Sequence, residues 1–341
     1  MATYVDSNLN DPSLFFEAVT YTGNTSSGTT NNDLSFQPDM VWFKSRTQTE
    51  NHQIYDAVRG TTKRIIPNGT QTEATASTGL TSFDSDGFTT GGEQETDSGN
   101  IVAWCWKANG AGSSNSVGDL TVTTSANTTS GLSIIKGTSD STADRTIGHG
   151  LGTVPDAILT KNLDSGYNWD CYFRALGYNA SLILNSTAAT RSGAWGSSTF
   201  TTTLFQTKNT YSSNNGDEYV YYVISSRQGF SKVGSYIGNN GGSDGVFVYT
   251  GFRPKLVIQK LSSSSGANWI MRDTARDTYN PMDNQIEANT SDAKEDNHAI
   301  DFLSNGFKTR ANGLNQQDSG ETYIYMAFAE APFVNSNGVP C

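Results

Sequence analysis

The chain has 341 residues, of which only 35% are hydrophobic and 16% are charged, and Ser, Thr, Asn and Gly supply much of the remainder. Ser, Asn and Gly disfavour helices, whereas Thr and the 11% of aromatic residues suit strands, so the composition argues against a helical protein and favours an all-β fold. The formal charge of −11 is spread without a cluster of Lys and Arg, which argues against nucleic acid as a partner.

The chain begins with an arm, residues 1–16, that belongs to none of the repeats described below. The arm lacks the charged and apolar regions of a secretory signal, so classical secretion is not expected. No apolar run is long enough to span a bilayer, so membrane insertion is not expected either.

Three segments, residues 17–109, 132–229 and 230–334, carry the same landmarks in the same order and are interpreted as three copies of one unit. Each has a proline, an apolar run, a lysine six residues after the proline, and later a pair of phenylalanines five residues apart. In chain order these landmarks are Pro38, Lys44, Phe83 and Phe88, then Pro155, Lys161, Phe200 and Phe205, then Pro254, Lys260, Phe302 and Phe307. We refer to the segments as repeats 1, 2 and 3.

The landmarks indicate strands within each repeat. A proline suits the first position of a strand, and the apolar run after it predicts a strand that is covered on both faces. Asp86-Gly87 and Asn305-Gly306 stand between the paired phenylalanines of repeats 1 and 3, which predicts hairpins with type I′ turns. Repeat 2 lacks this dipeptide, so its turn must be built differently. About 100 residues of strands and turns predict one two-sheet β-sandwich per repeat.

Polar segments connect and follow the repeats. Residues 110–131 are rich in Ser, Gly and Asn and are predicted to form a flexible linker, whereas repeats 2 and 3 abut directly. Residues 335–341 form a C-terminal tail.

No catalytic, metal or cofactor site emerges from the sequence. The three histidines occupy different positions of the repeat, and the three cysteines are too few for a disulfide framework. Cys105 and Cys171 are expected to be buried free thiols. Asp84 and Asp86 resemble the start of a calcium loop, but repeat 3 keeps the turn without these carboxylates, so a turn explains both. A pair of carboxylates for glycoside hydrolysis remains an open alternative.

An Asp-x-x-Arg pattern occurs at matching positions of repeats 1 and 3, as Asp56 with Arg59 and Asp273 with Arg276. Repeat 2 has apolar residues at these positions. A charge pair that two apolar residues can replace is interpreted as a partly buried structural ion pair, the alternative being that the arginines bind a ligand.

Trp195 is the candidate ligand-binding residue because it stands in a Gly- and Ser-rich stretch outside the landmarks. An exposed indole there could stack on a sugar, the alternative being a loop anchor that folds back onto the domain. The other tryptophans are predicted to lie in the core and are Trp42, Trp104, Trp106, Trp169 and Trp269.

The strings Pro38–Lys44, Val102–Lys107, Asp301–Lys308 and Tyr323–Glu330 resemble a family of repeated domains in virion structural proteins of tailed phages. Such proteins are familiar from marine and cyanobacterial phages and are often described as tail-fibre-like. The resemblance implies lectin-like sandwiches of the concanavalin or jelly-roll kind, assembly in the host cytoplasm and a place on the virion surface. It brings no catalytic residues.

The leading hypothesis is therefore a non-enzymatic virion surface protein, displayed as a fibre, spike or knob, that contacts host-surface polysaccharide. Its expected partners are other virion proteins, a host-surface glycan and further copies of itself, for example in a trimer. The arm would dock to the virion. Two alternatives remain: a capsid or tail decoration protein that binds only other virion proteins, and a polysaccharide depolymerase.

Overall fold

The computed structural model describes residues 9–140, 142–193, 195–196, 200–208 and 216–340. Within these ranges almost all regular structure is β-strand, and the strands of every sheet pair antiparallel. The predicted all-β class is confirmed.

The described residues form 27 strands, one short α-helix, α1, at Gln94–Asp97, and three single-turn 3-10 helices at Pro12–Leu14, Arg174–Leu176 and Gly242–Asp244. In repeat 1 the strands are β1 (Phe16–Thr22), β2 (Thr30–Asn31), β3 (Met40–Ser45), β4 (Gln53–Asp56), β5 (Lys63–Arg64), β6 (Ala74–Thr75), β7 (Leu80–Asp84), β8 (Gly87–Thr90) and β9 (Asn100–Trp106). Before and in repeat 2 they are β10 (Ser113–Asn115), β11 (Val122–Asn127), β12 (Leu132–Thr138), β13 (Thr146–Gly148), β14 (Ala157–Asn162), β15 (Asp170–Phe173), β16 (Ala180–Ile183), β17 (Arg191–Ser192), β18 (Leu204–Gln206) and β19 (Glu218–Ile224). In repeat 3 they are β20 (Ser231–Ile237), β21 (Phe247–Tyr249), β22 (Phe252–Leu261), β23 (Ile270–Asp273), β24 (Met282–Glu287), β25 (Glu295–Leu303), β26 (Gly306–Thr309) and β27 (Thr322–Pro332).

Each repeat contributes one larger sheet. The strand orders of these sheets are β1-β9-β3-β4, β10-β11-β12-β19-β14-β15-β16-β17, and β20-β27-β22-β23-β24-β25-β26-β21. The smaller sheets are β2-β8-β7, β13-β18 and β5-β6. The strand that follows the landmark proline pairs with the closing strand of its repeat in all three cases, as β3 with β9, β14 with β19 and β22 with β27.

The inner strands of the larger sheets are buried on both faces, as predicted, and different neighbours cover the two faces. Along β3, Met40 and Trp42 point into a core cluster to which all three repeats contribute. Val41 and Phe43 point the other way, into a cluster within repeat 1. Because successive side chains alternate across a strand, an unbroken apolar run serves a shared core and a local core at once.

Equivalent hydrogen bonds join the repeats in a closed cycle. The Nε1 atoms of Trp169 and Trp269 donate to the main-chain oxygens of Ile66 and Ile183, both at 2.9 Å. In repeat 1, His52 takes the place of the tryptophan, and its Nε2 lies 3.1 Å from the oxygen of Glu287. Repeat 2 thus contacts repeat 1, repeat 3 contacts repeat 2, and repeat 1 contacts repeat 3.

A second set of main-chain hydrogen bonds follows the same cycle. Its donors and acceptors are Glu73 N and Leu163 O, Thr190 N and Ser262 O, and Lys294 N and Arg46 O, each 2.9 Å apart. The acceptor always stands two residues after the landmark lysine. Each repeat therefore uses one surface to contact one neighbouring repeat and a different surface to contact the other. Because the cycle closes, both surfaces are occupied in all three repeats.

The predicted hairpins are present, but their turn geometry differs from the prediction. The innermost pairs are Asp84 with Gly87 and Leu303 with Gly306, so two-residue loops connect the strands. Neither loop contains a residue with positive φ, which a type I′ turn requires. The glycine serves a close approach instead, because a Cβ at Gly87 would overlap the main-chain oxygen of Asn31 on β2.

Two other predictions need correction. Residues 110–131 contain β10 and β11, and β11 pairs with β12, so this segment extends the sheet of repeat 2 and is not a flexible linker. Pro38 and Pro155 precede their strands, whereas Pro254 lies inside β22, at a register shift where a missing donor is tolerated.

The described part of the N-terminal arm packs against the rest of the chain. Leu9 is buried in the shared core. The side-chain nitrogen of Asn10 donates to Ser336 Oγ at 2.7 Å, and Ser336 N donates to Asn10 Oδ1 at 2.8 Å. The end of the arm and the start of the tail therefore meet; residues 1–8 and Cys341 lie outside the described residues.

Candidate functional site

A sugar-binding role would require Trp195 to be exposed, and in the structure it is not. Its side chain is 0% exposed and packs edge-on against Tyr172 and Phe200, with ring centroids 5.9 and 6.4 Å apart. Folding the indole inward removes a large apolar surface from water. Trp195 fits the alternative of a loop anchor, and an indole without a free face cannot stack on a ligand.

The landmark lysines lie in the interior. Lys44, Lys161 and Lys260 are buried, and each ammonium group donates to the main-chain oxygen of the following residue, at 2.6, 2.8 and 2.7 Å. Burial lowers the pKa of each of the three to about 8. Lys260 also donates to the oxygen of Thr187 in repeat 2, at 3.4 Å. Lys44 and Lys161 make their second hydrogen bond within their own repeats, to the main-chain oxygens of Gln48 and Ser165 at 3.2 and 3.3 Å, so only Lys260 bridges two repeats among these three.

The two Asp-x-x-Arg pairs are buried ion pairs, and each lies beside a residue of another repeat. The carboxylate–guanidinium distances are 2.5 Å for Asp56 with Arg59 and 2.6 Å for Asp273 with Arg276, and all four side chains are inaccessible to water. The hydroxyl of Tyr222 donates to Asp56 at 2.6 Å, and Trp104 Nε1 donates to Asp273 at 3.0 Å. The arginines are therefore structural, as the first interpretation proposed.

An open groove of about 440 Å³ lies where the two edge strands of the repeat 3 sheet approach each other. Lys232 on β20 donates from Nζ to the main-chain oxygen of Tyr249 on β21, at 2.7 Å. The same ammonium group stands 5.2 Å from the centre of the Tyr249 ring. This contact draws the ends of the sheet together and orients the tyrosine.

The groove combines an aromatic platform with hydrogen-bonding groups. Tyr249 is 53% exposed, although it belongs to a strand, and so presents an aromatic face to solvent. The other side chains that line the groove include Ser226, Gln228, Thr250, Phe333 and Val334. Burial lowers the pKa of Lys232. A groove of this volume that combines an exposed aromatic ring with a few hydrogen-bonding groups is compatible with a small-ligand site.

The floor of the groove is fixed by the main chain. Thr250 N and Gly251 N both donate to the oxygen of Asn305, at 2.9 and 3.1 Å, and Phe333 N donates to the oxygen of Gly251 at 3.1 Å. Gly251 has a φ of 86°, a conformation that favours glycine. The groove is therefore held in shape by main-chain hydrogen bonds before any ligand arrives.

Acidic and metal-binding chemistry is not assembled at the groove. Among its described lining residues there is no Asp, Glu or His. In the described ranges no three His, Cys, Asp or Glu side chains are grouped as metal ligands would be. Cys105 and Cys171 are buried free thiols, as predicted. The described part of the chain also contains no helix long and apolar enough to cross a membrane.

Tyr249 and the asparagines beside the junction residues were not among the candidates predicted from the sequence. Phe247-Val-Tyr249 is a short alternating strand, and alternation does not reveal which face meets water. The asparagines were detectable, because each follows its repeat's His or Trp at a similar distance. Asn68, Asn185 and Asn289 accept hydrogen bonds from the main-chain nitrogens of His52, Trp169 and Trp269 at 2.9, 3.0 and 2.7 Å.

Comparison with known proteins finds one family. The family model is described as a domain of unknown function, DUF7483, and it matches residues 11–332. No curated protein and no solved structure matches the chain.

Proposed function

The chain belongs to the DUF7483 family of domains of unknown function, and we propose that it is a non-enzymatic virion surface protein that contacts host-surface polysaccharide through the groove beside Tyr249. The observation that carries the proposal is the exposed tyrosine ring, which Lys232 orients over a fixed main-chain floor. A sugar ring can stack its C–H face on the tyrosine while its hydroxyls reach the polar side chains of the rim.

The architecture in this proposal is three copies of one two-sheet β-sandwich closed into a ring. The recurring hydrogen bonds at the three junctions support it, as does the shared core. A closed ring is a rigid platform that keeps a weak glycan site in a fixed orientation. Many copies on one particle would then bind a polysaccharide far more tightly than one groove does.

The absence of acidic groups from the described lining of the groove supports a binding role rather than hydrolysis, which needs two carboxylates flanking the glycosidic bond. A depolymerase would release new reducing ends from host polysaccharide. The proposed binding protein releases none.

Glycan binding tests the proposal directly. The purified chain is applied to a glycan array and to polysaccharide fractions from the host envelope, together with Tyr249→Ala and the control Tyr279→Ala. Tyr279 is 84% exposed and does not line the groove. We expect Tyr249→Ala to weaken binding about tenfold or more, roughly the loss of one stacking contact and its neighbours, and Tyr279→Ala to leave it unchanged. Equal binding by all three proteins would show that the groove is not the glycan-binding site.

Placement on the particle is a separate question. Negative-stain microscopy of virions with an antibody against the chain should label a fibre, spike or knob, and unlabelled particles would reject a virion role. Labelled particles together with silence across glycans and envelope fractions would favour the alternative, a capsid or tail decoration protein.

A further inference from the structure

Repeat 3 contains a buried arginine without an acidic partner. Arg272 on β23 is 1% exposed. Its Nη2 donates to Gln285 Oε1 at 3.0 Å and to the main-chain oxygens of His298 and Asn297 at 2.6 and 3.3 Å. Within the described ranges no carboxylate forms an ion pair with it, in contrast to the neighbouring Arg276. The hydrogen-bond acceptors of Arg272 are all neutral, and the charges of Asp277 and Asp283 only partly offset burial, which still lowers the pKa of Arg272 to about 9. A buried guanidinium that is compensated so incompletely is costly.

The fold does not require an arginine at this position. Strand register places Arg272 opposite Val257 on β22. The equivalent pairs are Tyr55 with Val41 in repeat 1 and Tyr172 with Ile158 in repeat 2. Both tyrosines are buried, so two repeats fill this place with a neutral aromatic side chain. The charge is therefore specific to repeat 3.

Several buried polar atoms around Arg272 have no hydrogen-bond partner among the described residues. They include two of its own guanidinium nitrogens, Nε and Nη1, together with Nδ1 of His298 and Oε1 of Gln316. An unpaired buried donor of a charged group is costly, so the fold is stabilised when an acceptor is supplied.

Main-chain oxygens of the surrounding segment face the guanidinium group of Arg272. His298 has a φ of 46°, an uncommon conformation for a residue other than glycine, and its carbonyl oxygen faces Arg272. Tyr236 donates from its hydroxyl to the main-chain oxygen of Gln316 at 2.7 Å, which closes the other side of the cluster. Burial, and then the charge of Arg272, lower the pKa of His298, which is half-buried and links the cluster to the surface.

We propose that Arg272, with His298 and Gln316 beside it, forms a binding site for a small inorganic oxyanion inside repeat 3. The unpaired N–H groups stand on two different guanidinium nitrogens, so a ligand with several acceptor oxygens satisfies them better than a halide does. A bound oxyanion supplies a negative charge in direct contact with the guanidinium group, whereas Asp277 and Asp283 act on it only from a distance. The oxygen of Gln316 then accepts from a protonated ligand oxygen or from a water that accompanies the ion.

Thermal unfolding of the full chain tests the site. Sulfate, phosphate and chloride are titrated separately at constant ionic strength into the wild type and into Arg272→Tyr, which installs the side chain that repeats 1 and 2 carry. Arg272→Gln serves if the tyrosine variant does not fold. We expect a saturable rise in the Tm of the wild type of several degrees with sulfate or phosphate, little effect of chloride, and no saturable rise in the variant.

Two results would overturn the proposal. One is a wild-type Tm that responds alike to all three anions or without saturation, which is a general salt effect. The other is a saturable response that the Arg272 variant retains, because the anion would then bind elsewhere. Isothermal titration of wild type and variant with phosphate gives an independent readout, in which heat of binding is expected for the wild type alone.

Discussion

Trp269 donates a hydrogen bond from its indole nitrogen to the main-chain oxygen of Ile183, across 2.9 Å and between different repeats. The donor side chain is fully buried, and the acceptor, Ile183, is the last residue of β16 in the preceding repeat. Trp169 makes the same contact with Ile66, and His52 makes it with Glu287. The tautomer of His52 follows from Trp42, whose indole nitrogen donates to Nδ1 at 2.8 Å and so leaves the proton on Nε2.

The junction contact predicts a measurable stability loss in Trp269→Phe. Phenylalanine retains most of the apolar volume but leaves the oxygen of Ile183 buried without its donor, at a cost of about 1–3 kcal/mol. Urea unfolding checks the free energy of unfolding. Trp169→Phe, at the equivalent junction, is expected to lose a similar amount, and a negligible loss in both variants would contradict a stabilising role for the contact.

The ion pair of Asp273 and Arg276 predicts an asymmetry between single and double replacements. Arg276→Leu alone strands a buried carboxylate and should cost about 3–5 kcal/mol. The double change Asp273→Phe with Arg276→Leu installs the residues of repeat 2, Phe173 and Leu176, and should destabilise less than the single change. Urea unfolding of both variants measures the difference. A double variant less stable than the single one would show that repeat 3 cannot accept the apolar arrangement.

The hairpin glycine predicts sensitivity to a single methyl group. In Gly87→Ala the new Cβ overlaps the main chain of β2, so β2 or the hairpin must shift, at a cost of about 1–3 kcal/mol. Gly166→Ala is the matched control, because the nearest atom to its Cβ, the main-chain oxygen of Thr70, is 3.6 Å away. Thermal unfolding should separate the two variants. Equal Tm values would show that the strand yields without cost.

The buried lysines predict an increase in stability at mildly alkaline pH. Burial lowers the pKa of Lys161 to about 8, below its unfolded value of about 10.4. Between these values the unfolded chain binds more protons, so this lysine makes the free energy of unfolding rise with pH. Burial raises the pKa of Cys105 and Cys171, which has the opposite effect above about pH 8.5.

The comparison of wild type with Lys161→Met isolates the lysine, because the thiol contribution is common to both proteins. Chemical unfolding at pH 7, 8, 9 and 9.5 gives the free energy of unfolding for each protein. We expect the wild type to gain stability relative to the variant over this range. A constant difference would contradict the lowered pKa.

Much of the local structure was accessible from the sequence. The strands after Pro38 and Pro155, the hairpin between Phe83 and Phe88, and the buried pair of Asp56 and Arg59 all rest on interactions over short stretches of chain. Alternation of side chains, turn residues and charge spacing report such interactions directly. Even here the predicted reason for a glycine at position 87 was wrong. The turn itself does not require glycine; β2, which is distant in sequence, passes too close to Gly87 to leave room for a side chain.

The tertiary structure alone decided which surfaces became functional candidates. The unbroken apolar run of β3 indicates that both faces of the strand are apolar, but it does not indicate that other repeats cover one of these faces. Trp195 turns inward, Tyr249 remains exposed, and Arg272 lies buried where tyrosine stands in repeats 1 and 2. Burial depends on which neighbours the folded chain brings into contact, and those neighbours often lie about a hundred residues away in sequence. Composition and recurring landmarks were enough to predict an all-β chain, whereas the candidate sites depend on how distant segments pack against one another.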